Sequence, residues 1–193
     1  MTLPTKLTIV RMVLAVLVMG LLFTPGWMAK SAALSCFLIA ALTDWLDGYL
    51  ARRWRQISPA GALLDPIADK VLVLGALLAF VQLRLVPAWM VLVIVLRESL
   101  ITGVRLFAAS RNIVLSASRE GKQKTVSQMV TIVVILAALI VRELPSRPLS
   151  GEAERVVALA ILACLWITTI LTVISGTAFF WRHRTVLREA VNH

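Results

Sequence analysis

The residues in this chain best suited to chemistry are its four aspartates, Asp44, Asp47, Asp65 and Asp69, all within TDWLDGYLARRWRQISPAGALLDPIADK, residues 43–70. On a helix turning 100° per residue, Asp44, Asp47, Gly48 and Ala51 fall at i, i+3, i+4 and i+7 and form one stripe. Gly61, Asp65, Ala68 and Asp69 form a second stripe on the next helix. Two antiparallel helices joined by a short link bring such stripes face to face, so four carboxylates converge. A carboxylate near the middle of a membrane-spanning helix costs about 2.5–3.5 kcal/mol on insertion scales, and like-charge repulsion adds to it. Lys70, Arg52 and Arg53 offset only part of this, because they lie on other sides of their helices. Divalent cations are the economical solution, and oxygen-only ligation without His or Cys favours Mg²⁺ or Mn²⁺ over Zn²⁺. Four carboxylates exceed the needs of one octahedral ion. Two ions about 3.5–4 Å apart would use them fully and would stabilise attacking and leaving oxygens at phosphorus. Gly48, Ala51 and Gly61 add little bulk, which lets a wide ligand approach, although small residues also serve plain helix packing in membranes.

The elements that position these residues are helices in a bilayer. The chain has 193 residues, 60% of them hydrophobic and 16% charged, outside the usual soluble range. Apolar runs of about 20 residues are what a span requires. They occur at about 5–24, 28–53, 61–82, 87–109, 124–142 and 155–181. All six are expected to be α-helical, since a lipid-exposed backbone must satisfy its own hydrogen bonds. The expected architecture is therefore an all-α, polytopic membrane domain over 1–193. Pro59 sits where a first helical turn tolerates proline. The formal net charge of +10 could suit nucleic acid, but the spans argue against it and for membrane lipids as partners.

Orientation follows from the basic residues, which are enriched on cytoplasmic ends. Lys6, Arg11, Arg52, Arg53, Arg55, Arg105, Arg111, Arg119, Lys122, Lys124, Arg182, Arg184 and Arg188 collect on one side, against Lys30, Arg84, Arg142, Arg147 and Arg155 on the other. Both termini are expected to be cytoplasmic, with the aspartates at the cytoplasmic ends of the second and third helices. Cys36 and Cys164 read as small buried hydrophobes, and His183 and His193 as solvated side chains of a basic tail.

The pattern D-x2-D-G-x2-A-R-x8-G-x3-D-x3-D, met at Asp44, Asp47, Gly48, Ala51, Arg52, Gly61, Asp65 and Asp69, resembles the signature of the CDP-alcohol phosphotransferases. The resemblance implies six membrane helices, a two-metal site, and displacement of CMP from a CDP-linked donor by a hydroxyl group. It implies that Asp44, Asp47 and Asp65 hold one metal and Asp44, Asp65 and Asp69 the other, with Asp69 also the base. Gly48, Ala51 and Gly61 would admit the cytidine nucleotide, with Arg52 near its phosphates. A homodimer in the bacterial cytoplasmic (inner) membrane, its active site toward the cytoplasm, is implied as well.

The acceptor is argued from the remaining basic residues. Arg105, Arg111, Lys122 and Lys124 form a candidate phosphate-binding group, since Arg and Lys bind phosphate by charge and multiple donors. The bland reading is attraction to anionic headgroups. Arg97 and Glu98 interrupt an apolar run, as a structural ion pair or as part of a site. RESLITGVR (97–105), GKQKTVSQM (121–129) and LPTKLTIVR (3–11) resemble the phosphatidylglycerophosphate-forming branch of the family, which implies CDP-diacylglycerol as donor and sn-glycerol 3-phosphate as acceptor. The alternatives are a cardiolipin, phosphatidylserine or phosphoinositol-type synthase, a membrane prenyltransferase, or an ion transporter with intramembrane carboxylates.

Overall fold

The structure, a computed structural model, describes residues 3–54, 59–110, 119–145 and 150–184. The side chains of residues 3–8, 44–54, 59–69, 119–120 and 122 fall outside that description. The described residues form six helices and no strand: α1 (Leu3–Phe23), α2 (Trp27–Trp54), α3 (Pro59–Gln82), α4 (Ala88–Ser110), α5 (Arg119–Glu143) and α6 (Gly151–Arg182). Each coincides with one expected apolar segment to within a few residues, except that α5 begins earlier, taking in the polar residues 119–123. Pro59 is the first residue of α3, where its missing N–H has no intrahelical partner to lose.

The chain divides into two compact units, residues 1–85 with 132–158, and residues 86–131 with 159–193. In the first, α1 packs against both α2 and α3. Ala15, Val18 and Leu22 of α1 are buried, as are Ala33, Phe37 and Ala40 of α2 and Leu72, Ala76 and Phe80 of α3. These follow helical spacing, so one face of each element supplies the core. Gly75 permits a close approach of α3 to α1, since a Cβ there would stand 3.0 Å from the sulfur of Met19.

Between α1 and α2 the chain turns in three residues, with Gly26 at φ +107°, a region glycine enters without strain. The last carbonyls of α1 have no helical partner, and Lys30 meets them. Its ammonium, 4% exposed, donates to the carbonyls of Leu22 (2.7 Å) and Thr24 (2.8 Å). Glu143, at the end of α5, completes the arrangement. Its carboxylate lies 3.4 Å from the Lys30 ammonium and accepts the Gly26 N–H at 2.5 Å. A buried cation, a helix end and a tight turn are thus satisfied together.

In the second unit a polar stripe of α5 meets one of α6. The Thr131 and Thr168 hydroxyls are 2.8 Å apart, and Thr131 also reaches the Cys164 carbonyl at 3.3 Å. Thr169 and Thr172 donate back to the carbonyls of Leu165 and Thr168, which keeps their hydroxyls satisfied inside an apolar helix. Trp89 of α4 packs edge-on to Trp166 of α6, centroids 5.5 Å apart.

Among the described residues, Gln123–Glu143 and Gly151–Arg182 are long and apolar enough to cross a bilayer. Shorter apolar stretches cover Ile9–Phe23, Trp27–Thr43 and Lys70–Gln82. α4 carries Arg97, Glu98 and Arg105 along its length, which lowers its apolar character. Two expectations need correction. Cys36 and Cys164 are free but only half-buried. His183 is buried rather than solvated, because it lies one turn beyond Phe179, stacks on that ring at 4.6 Å and places Nδ1 3.0 Å from its carbonyl. His193 lies outside the described residues.

Replacing Lys30 by Met should destabilise the protein by about 2 kcal/mol, because it strands helix-end carbonyls and the Glu143 carboxylate. The measurement is the thermal midpoint in detergent, and an unchanged midpoint would refute the clamp.

Candidate active site

The four aspartates lie on the two helices that share α1 as a packing partner. Counted from the helix ends that face the 55–58 link, Asp47 and Asp65 sit about 9–11 Å along their helices, and Asp44 and Asp69 about 15 Å, at 1.5 Å per residue. The two stripes therefore present two carboxylate-bearing residues at each of two levels. Gly48, Ala51 and Arg52 are on α2 and Gly61 on α3. The side chains of all these residues lie outside the described ones. The donor set itself, four carboxylates on two adjacent helices with no histidine or cysteine between residues 43 and 70, suits hard divalent cations.

At a similar depth, about 12 Å from the start of α1, stands Arg11. It is 1% exposed and engaged by neighbouring groups. Holding a guanidinium out of water is costly unless neighbouring groups compensate it. Its burial gives unit one a fixed positive charge on the helix that touches both aspartate helices.

The second unit holds the basic residues expected to bind the acceptor. Glu98 of α4 is the hub: its carboxylate Oε1 accepts from Arg97 Nη1 at 3.0 Å and from the Lys124 ammonium of α5. Arg97 Nη2 donates to the Ser175 hydroxyl of α6 at 3.0 Å. The Arg97 and Glu98 side chains are 12% and 13% exposed, so this is a sheltered cluster of two cations and one anion. Arg97 reaches α6 because residue 176 is glycine, where a Cβ would stand 3.1 Å from the Arg97 stem. Arg105 of α4 is exposed, with its guanidinium 5.5 Å over the Phe179 ring. Lys122 lies on α5 with its side chain outside the described residues, and Arg111 is outside them altogether.

The candidate acceptor group thus has Lys124 committed to Glu98 and Arg105 resting on an aromatic face. Sequence reasoning left Ser175 and Gly176 unremarked, having drawn little from the last two helices. A signal was present: Thr168, Thr172 and Ser175 recur at intervals of four and three within an apolar run and are followed by glycine, the spacing of a polar face turned inward.

Comparison with known proteins bears on this arrangement. The sequence pattern of the CDP-alcohol phosphatidyltransferase family matches residues 1–181. The CDP-diacylglycerol–glycerol-3-phosphate 3-phosphatidyltransferase of Bacillus subtilis is 36% identical, over 97% of this chain and 98% of that protein. The protein of the same name from Cereibacter sphaeroides is 33% identical over the same shares of both chains. A CMP-forming cardiolipin synthase of Oryza sativa is 37% identical over 72% of this chain and 46% of its own length.

Glu98→Ala leaves two sheltered cations without their shared anion and should cost about 3 kcal/mol, whereas Ser175→Ala removes one hydrogen bond and should cost about 1 kcal/mol. Unfolding in a denaturing-detergent titration would rank the two, and a Ser175→Ala loss equal to that of Glu98→Ala would refute the hub.

Proposed function

Because this chain belongs to the CDP-alcohol phosphatidyltransferase family, we propose that it transfers the phosphatidyl group of CDP-diacylglycerol to sn-glycerol 3-phosphate, releasing CMP and forming phosphatidylglycerophosphate. The observation that carries this reading is the end-to-end similarity to two bacterial enzymes named for that reaction. Asp44, Asp47 and Asp65 would hold one divalent cation and Asp44, Asp65 and Asp69 a second. Such ions, Mg²⁺ or Mn²⁺, would supply Lewis-acid stabilisation of the charge that develops on phosphate oxygens.

The remaining roles belong to the chain. Asp69 takes the proton of the attacking glycerol hydroxyl as the new oxygen–phosphorus bond forms and the bond to CMP breaks. Gly48, Ala51 and Gly61 leave room for the cytidine nucleotide, and Arg52 faces its phosphates. Arg105, Arg111, Lys122 and Lys124 bind the acceptor's phosphate, with Glu98 holding Lys124 in place, Arg97 holding Glu98 and Ser175 holding Arg97. The protein would be a homodimer of the bacterial cytoplasmic membrane, each chain a single catalytic domain over 1–193. All six helices would span, with termini and aspartates on the cytoplasmic side, where a soluble acceptor is available.

A cardiolipin-type activity is the second reading, favoured by the similarity of part of the chain to such a synthase. It differs only in the acceptor, a lipid alcohol in place of a soluble phosphate. A panel of acceptors offered to the purified protein with CDP-diacylglycerol and Mg²⁺ separates the two: CMP should appear with glycerol 3-phosphate. Release only with phosphatidylglycerol would favour the second reading, and release with no acceptor would end both. EDTA should abolish the activity and excess Mg²⁺ or Mn²⁺ restore it. Asp69→Asn should lower kcat about 10³-fold. Lys122→Ala and Arg105→Ala should raise the KM for glycerol 3-phosphate far more than that for the donor, and equal rises would count against the acceptor assignment.

A further inference from the structure

A groove of about 620 Å³ runs along the second unit between α4 and α6, with Arg97 of the Glu98 hub in its wall. Its floor and walls are hydrocarbon, from Val93, Leu96 and Leu100 of α4 and Val173 and Phe180 of α6. Two arginines line it, but they are not equivalent. The guanidinium of Arg97 is committed to Glu98 and Ser175. That of Arg184, just beyond α6, stacks on Trp181 at 4.7 Å. Stacking uses the flat face of a guanidinium and leaves its N–H edges directed outward. Trp181 is 72% exposed, as an indole at a membrane–water boundary would be.

The dimensions identify an occupant. From Val173 to Arg184 the groove covers eleven residues of helical rise, about 16 Å. One leaflet of hydrocarbon is about 15 Å deep, half of the usual 30 Å core. The groove therefore begins at an aromatic and cationic rim and ends near the midplane, matching one extended acyl chain below one headgroup. Thr177, its polar lining residue on α6, already donates to the carbonyls of Val173 and Ile174, so its hydroxyl makes no polar demand on a ligand. Among the described residues no acidic side chain lines the groove to balance Arg184, whereas a lipid phosphate would.

We propose that the α4–α6 groove is a binding site for one anionic diacyl phospholipid of the surrounding membrane, its phosphate on Arg184 and one acyl chain along Val173, Leu100, Leu96 and Val93. The site rests on the membrane reading above but is independent of the transfer reaction. It selects by charge at the rim, since the hydrocarbon wall treats all acyl chains alike.

The test uses the full-length protein in nanodiscs of phosphatidylcholine with increasing brominated phosphatidylglycerol, reading tryptophan fluorescence. The chain has six tryptophans, so the signal of interest is the difference between wild type and Trp181→Phe. Trp181 quenching should saturate at a low fraction of the anionic lipid. R184Q should raise the half-saturating fraction about fivefold, and R184K should leave it near the wild-type value. Brominated phosphatidylcholine should quench weakly and without saturation. Equal quenching by both lipids, or an R184Q curve that overlays the wild type, overturns the site. Absence of quenching by either lipid means that a second copy of the chain or another protein covers the groove, and overturns it as well. CMP release measured on the same samples reports separately on the transfer activity.

Discussion

Charge in an apolar environment must be matched locally, and two clusters of this chain are places where that requirement is met by its own side chains. Glu98 is one anion shared by Arg97 and Lys124 from two helices, with Ser175 of a third taking up a remaining donor. Lys30 is treated the same way at the opposite extreme of composition, satisfied by two carbonyls and one carboxylate. Removing Glu98 or Glu143 would leave a sheltered cation without its carboxylate. The hydrophobic faces hold helices together, but these shared ions decide which faces meet.

The aspartate stretch presents the same requirement with the balance unmet by protein side chains in the sequence. Four acidic residues within 26 positions, with basic neighbours on the wrong sides of their helices, define a demand for positive charge. On the proposed reading divalent metal ions would answer it, and the diphosphate of a nucleotide-linked lipid would fill the coordination positions that the carboxylates leave. A family built on that arrangement gains substrate binding and charge neutralisation from one set of residues.

Much of the fold was legible beforehand, because a bilayer leaves few options: six apolar segments read off the sequence became six helices whose ends moved by a few residues. α5 was the main exception, beginning at Arg119 rather than near Lys124 because a helix can carry polar residues beyond the apolar core. The aspartate stripes are an expectation from spacing, since the side chains that would form them lie outside the described residues. The role of Glu98 was not, since its partners lie 26 positions away at Lys124 and, through Arg97, 78 positions further on at Ser175. Nothing local distinguishes an ion pair that serves a single helix from one that ties three. His183 failed for a different reason, as its burial came from a ring one turn away that the basic tail around it obscured.

The bond between Gly26 and Glu143 joins positions 117 residues apart. During synthesis the first hairpin, α1 with α2, leaves the ribosome well before α5 exists, carrying an ammonium whose counter-charge has not been made. That hairpin must therefore wait, partly satisfied by its own carbonyls, until most of the chain has been translated. Chains that stop short of the fifth helix lack the carboxylate that ties this turn, so the first hairpin is then held there by its own carbonyls alone.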